Sequence, residues 1–126
     1  MDKTPLRETF GSLLNAGRFT ECIEEHGIRY RQAYFRSPSI VLRIAEQEEI
    51  TPQGASVTCL AFLVDPNNAS RWCMFEKAAQ VMLGRKIEGS TRLLQLERNL
   101  SNHIDLILEQ LAQGNEPPFE DFSQFE

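Results

Sequence analysis

Cys59-Leu60-Ala61-Phe62-Leu63-Val64 is the longest unbroken apolar run in the chain, and it is short. A membrane-spanning helix needs about 20 apolar residues, so this run describes a buried strand. Turn-forming clusters bound it, with Pro52-Gln53-Gly54 before it and Asp65-Pro66-Asn67-Asn68 closing it. The fold therefore contains a sheet, with one strand expected over residues 56–64.

Two more strands precede it. Residues 28–36 and 39–45 are rich in β-branched and aromatic side chains and are separated by Ser37-Pro38, a hairpin signal. The acidic stretch Glu46-Gln47-Glu48-Glu49 reads as a connector. Helices flank the strands. Thr4-Pro5 is a helix start, and Leu6, Phe10, Leu13 and Leu14 make one apolar face before Asn15-Ala16-Gly17 stops it. A second short helix is expected over 19–26, ending at Gly27. Residues 70–83 read as helical, with Trp72, Phe75, Ala79 and Met82 on one face and Gly84 as the stop. The last helix is expected over 91–113, where Leu93, Leu96, Leu100, Ile104, Ile107, Leu108 and Leu111 form a broad stripe. Gly114 ends it and Pro117-Pro118 prevents resumption. The expected fold is α+β: a three-stranded antiparallel sheet in the order α-α-β-β-β-α-α, with helices packed on one face.

A chain of 126 residues fits a single domain, expected here over 1–113 with an acidic tail over 114–126. The tail carries −4 of the net charge of −5 through Glu116, Glu120, Asp121 and Glu126. Four arginines (Arg29, Arg31, Arg36 and Arg43) lie between Ile28 and Ile44 with no acid among them, so a basic middle precedes an acidic end. The first residues lack the basic-then-apolar pattern of a signal peptide, which points to the cytoplasm. Cys22, Cys59 and Cys73 then read as small buried hydrophobes.

Enzyme signatures are missing: there is no P-loop, Gly-x-Gly-x-x-Gly, Gly-x-Ser-x-Gly or His-Glu-x-x-His. His26 and His103 are the two histidines. Cys22 and His26, four apart on a helix, would share a face and resemble half of a metal site. A closed zinc site needs further ligands, and these are scattered, so no metal or cofactor is expected. A metal or thiol sensor is the third-ranked function.

The segment Ile28-Arg29-Tyr30-Arg31-Gln32-Ala33-Tyr34-Phe35-Arg36 interleaves cations with rings, as a single-stranded nucleic-acid platform does. A two-residue turn at Ser37-Pro38 gathers Tyr30, Tyr34 and Arg43 on one face and leaves Phe35, Ile40, Leu42 and Ile44 for the core. A three-residue turn instead places Arg29, Arg31 and Arg43 together. The first gathers more apolar residues and is the expected register. The nucleic-acid set is thus Arg29, Tyr30, Arg31, Tyr34 and Arg43. The net charge opposes it.

Phe119, Phe122 and Phe125 recur every three residues among the acids Glu120 and Asp121. On a bound helix they would make one ridge suited to a basic-rimmed groove. Packed back on the domain, they would make an ordered extension. The tail also resembles the acidic C-terminal tips of single-strand-binding proteins, which end in phenylalanine, whereas here the last residue is Glu126. In broad architecture the chain looks similar to small acidic α+β secretion chaperones. The leading expectation is a non-enzymatic protein-interaction factor, whether adaptor, regulator or chaperone-like. Its expected partner-binding residues are Phe119, Phe122, Phe125, Glu120 and Asp121 of the tail with Leu100 and Ile107 of the last helix. The expected partner is another protein; a homodimer is a further candidate, nucleic acid a weaker one, and no membrane is expected.

Overall fold

The computed structural model describes residues 4–123. The chain begins with two short helices, α1 (Leu6–Thr9) and α2 (Gly11–Asn15). Five strands follow: β1 (Glu21–Gly27), β2 (Tyr30–Arg36), β3 (Val41–Thr51), β4 (Gly54–Asp65) and β5 (Asn68–Met74). Helices α3 (Phe75–Leu83) and α4 (Leu93–Ala112) come next, and the short strand β6 (Glu120–Asp121) returns to the sheet edge. The described residues form a six-stranded antiparallel sheet in the order β1-β2-β3-β4-β5-β6. The α+β class stands, and the expected three-stranded sheet is corrected to six strands.

The extra strands arise where short apolar steps fit both the helical and the strand period. Residues 19–26, expected as helix, supply β1, which pairs with β2 from Glu21–Arg36 through Gly27–Tyr30. A piece that short is a marginal helix by itself, whereas as a strand it satisfies its backbone against β2. Residues 70–74, also expected as helix, lie in β5: Trp72 stands opposite Val64, Cys73 opposite Leu63 and Met74 opposite Phe62. The helix begins only at Phe75. It ends at Gly84 in the left-handed region (φ 66°), where the Gly84 and Arg85 N–H groups donate to the Gln80 and Ala79 carbonyls. The acidic connector at 46–49 is part of β3, because the β3–β4 ribbon stays paired out to Thr51–Gly54.

The β2–β3 connection has four residues, 37–40, tied by hydrogen bonds between Ser37 and Ile40. Arg36 pairs with Val41, Phe35 with Leu42 and Tyr34 with Arg43. This differs from a two-residue turn by an even number of residues, so the same side chains share a face. Ala33, Phe35, Leu42, Ile44, Ala61, Leu63 and Cys73 line the core face. Against them pack Leu6, Phe10 and Leu13 from α1–α2, Phe75 and Ala78 from α3, and Leu93, Leu96, Leu100, Ile104 and Ile107 from α4. Phe35 meets Phe10 and Phe19 edge-on at 6.3 and 6.4 Å. Each buried ring of this kind contributes roughly 1.5–3 kcal/mol.

One ion pair enters that core. Arg31 and Glu46 are 4% and 5% exposed, and Arg31 Nε donates to Glu46 Oε1 at 2.9 Å. Arg31 Nη1 donates to the Thr4 carbonyl, tying the sheet to the chain just before α1. Nη2 has no partner. Among the described residues no helix is long and apolar enough to cross a membrane.

Candidate interaction surface

A strand that is apolar at every position presents side chains to both faces of its sheet. In β4, Cys59, Ala61 and Leu63 face the helices, so Leu60, Phe62 and Val64 face the other way. Their neighbours follow from the register. One continuous row crosses five strands as Ile23, Tyr34, Arg43, Phe62 and Met74. The next row carries Arg36, Val41, Val64, Trp72 and Glu120. The buried helical residues in the core cluster pack on the opposite side.

This helix-free face is aromatic at its centre. Arg43 places its guanidinium over the Phe62 ring, 5.0 Å from the centroid, and its Nε donates to Gln32 Oε1 at 2.9 Å. Phe62 meets Trp72 edge-on at 5.2 Å, and Trp72 stacks on Phe122 at 4.1 Å with 19° between the planes. Phe62 and Val64 are only 8% exposed because these neighbours shield them. Towards β1 the shielding thins, leaving Ile23 38% and Tyr30 44% exposed.

The tail supplies the far end of this surface. Gly114, with φ 87°, ends α4, and the Asn115 N–H donates to the Gln110 carbonyl. Pro117 is buried and Phe119 packs against the core, with the Arg71 guanidinium over its ring at 5.1 Å. Glu120 pairs with Trp72 and Asp121 with Arg71 in the ladder, and the Phe122 N–H donates to the Ser70 carbonyl at 2.7 Å. In an extended segment, residues three apart point to opposite faces. Phe119 therefore enters the core side while Phe122 covers Trp72, in place of the single ridge a helix would give. Charges reinforce the seat. Lys77 Nζ lies 2.8 Å from Glu120, and Arg71 lies 2.6 Å from Asp65 and 3.6 Å from Glu116. The Glu120 carboxylate raises the pKa of the Lys77 ammonium, and hydrogen bonds from Ser123 hold Asp121 below the usual carboxylate range. Trp72, Cys73, Met74, Lys77, Glu120 and Phe122 line a cleft of about 220 Å³ beside this strand.

The structure distributes the other sequence-derived candidates widely. Leu100 and Ile107 lie fully buried on the sheet. Phe119, Glu120, Asp121 and Phe122 sit together on the β5 edge, and Phe125 lies outside the described residues. Of the nucleic-acid set, Tyr30, Tyr34 and Arg43 share the helix-free face. Arg29 occupies the β1–β2 turn with φ 61°, and Arg31 points into the core. Ile23, Phe62 and Trp72 were not among the candidates. For Phe62 the signal was the uninterrupted apolar run itself, since half its side chains needed a second cover; no local pattern pointed to Ile23 or Trp72.

Cys22 and His26 lie on a strand, where four residues span about 13 Å, too far to chelate one ion. Among the described residues no group of three metal-ligating side chains occurs. Burial pushes the three thiols up, Cys59 to about 11 and Cys73 to about 12. His103 donates from Nδ1 to the Asn99 carbonyl at 2.8 Å and meets Phe75 edge-on. The chain matches no protein-family model, no curated protein and no solved structure.

Proposed function

We propose that this protein is a non-enzymatic protein-interaction module that docks its partner on the helix-free face of the sheet. The observation that carries this reading is the row Ile23, Tyr34, Arg43, Phe62 and Met74, which crosses five strands on a face where no described helix packs. Rings and aliphatic side chains give such a face its binding energy, and Arg43 adds direction at its centre. The acidic tail belongs to the same surface through Phe122. High-pKa buried thiols and a histidine committed to a backbone carbonyl support a binding role over a catalytic one.

The test uses the full chain as bait. A partner captured by the wild-type protein is expected to be lost, by about tenfold or more in affinity, in Ile23→Asp and Tyr34→Ala chains that keep the wild-type unfolding midpoint. Retention of that partner by both variants contradicts the reading.

Single-stranded nucleic acid is a second reading, favoured by Tyr30, Tyr34 and Arg43 on one face. Arg31 is missing from it, and Glu21 and Glu25 border the same face. A titration at low salt with an Arg43→Ala control decides it. No measurable affinity removes it.

A further inference from the structure

The tail is seated like a ligand. It adds a strand to the β5 edge through Arg71 and Trp72, places one phenylalanine on each side of the sheet, and sets acidic side chains against Arg71 and Lys77. Strand addition of this kind is how many domains take extended peptides: backbone pairing gives affinity and alternate side chains give specificity. Among the described residues the backbone contacts of β6 are a two-residue ladder with β5 and the hydrogen bond from the Phe122 N–H to the Ser70 carbonyl, so the tail can open as a local unit at lower cost than global unfolding.

We propose that the β5 edge is a recognition groove for an extended acidic segment of a partner protein. That segment carries two aromatic residues three apart with carboxylates beside them, and residues 116–123 of the chain itself are its intramolecular occupant. Charge complementarity sets the chemistry. Arg71 faces Glu116 and covers Phe119, Lys77 faces Glu120, and the Trp72 face takes the second ring. A partner segment displaces the tail and exposes Trp72 at the margin of the helix-free face, which couples the groove to the docking surface. The inference rests on the proposed interaction role and adds the partner's chemistry to it.

A fluorescent peptide carrying the sequence of residues 115–123 serves as the probe, read by anisotropy against the full chain. The intact tail competes at millimolar effective concentration. The Phe122→Ala chain, with that competitor weakened, is expected to bind the probe about tenfold or more tightly than wild type. Adding Arg71→Glu to it is expected to cost at least tenfold, as is replacing both phenylalanines of the probe by alanine. Should Phe122→Ala disturb the fold, Glu120→Lys, which sets two cations against each other, opens the same edge. No probe binding by either opened chain, or equal binding of the ring-free probe, overturns the proposal. A concentration-dependent dimer of the wild-type chain that the probe dissolves would mean that a second copy's tail is the occupant, and overturns it as well. Ile23→Asp is expected to leave probe affinity unchanged. Loss of partner capture in Ile23→Asp together with no probe binding by either opened chain would sink the groove and leave the docking face standing.

Discussion

Removing Glu46 is the sharpest perturbation of the core. The carboxylate is 5% exposed and accepts from Arg31 Nε at 2.9 Å, while Arg31 Nη2 is already without a partner. In Glu46→Ala the guanidinium stays buried with its remaining contact at the Thr4 carbonyl. Breaking a buried pair from one side costs about 3–5 kcal/mol, because the surviving charge keeps its desolvation penalty. For a chain of 126 residues that corresponds to a fall in Tm of roughly 10–25 °C. Replacing both partners, as in Arg31→Met with Glu46→Leu, removes the stranded charge and is expected to return stability to within about 1–2 kcal/mol of wild type. Urea unfolding of the wild type, both singles and the double gives the coupling energy directly. A Glu46→Ala cost below about 1 kcal/mol, or a double variant weaker than either single, would refute the reasoning.

Three further outcomes follow from the same packing. Phe35→Ala removes the ring at the centre of the Phe10–Phe35–Phe19 cluster and should cost about 3–5 kcal/mol in urea unfolding, with a loss under 1 kcal/mol contradicting its central place. Burial raises the Glu76 carboxyl above its ordinary 4.5, so the folded state holds this proton more tightly than the unfolded chain does. Stability is then fully present below 4.5 and declines as pH rises through the folded value, so Glu76→Gln should flatten that decline, and parallel pH profiles would count against it. The thiols, buried with Cys59 and Cys73 pushed to about 11 and about 12, should react with a thiol reagent at pH 8 only as fast as the fold opens. Stoichiometric labelling faster than unfolding would show an exposed thiol.

Some of the fold and site was legible in the residues, for physical reasons that differ by element. Strand β4 and helix α4 were readable because an uninterrupted apolar run and a sustained 3.6-residue stripe each fit one period. The faces of the β2–β3 hairpin were readable because only one parity gathers Phe35, Leu42 and Ile44. β1 and β5 were not. Phe19 and Cys22, or Trp72 and Phe75, step by three, and only the unsatisfied edges of β2 and β4 decide for strand. β6 forms by pairing with Arg71 and Trp72, a contact across some fifty residues that no local pattern carries. The same blindness hid the site: Trp72 counted as one face of a helix and Phe62 as plain core, so their edge-to-face contact was out of reach.

The proposed docking face is tested most directly by a contact footprint. Methyl and aromatic cross-saturation on the labelled full chain, bound to its captured partner, reports which side chains touch. Saturation at Ile23, Tyr34, Leu60 and Met74 is the predicted result. The exposed helical residues Val81 and Leu94, at 62% and 68% exposure on the other side of the molecule's core, stay silent in that result. Saturation at Val81 and Leu94 with none at Ile23 or Tyr34 would contradict the account.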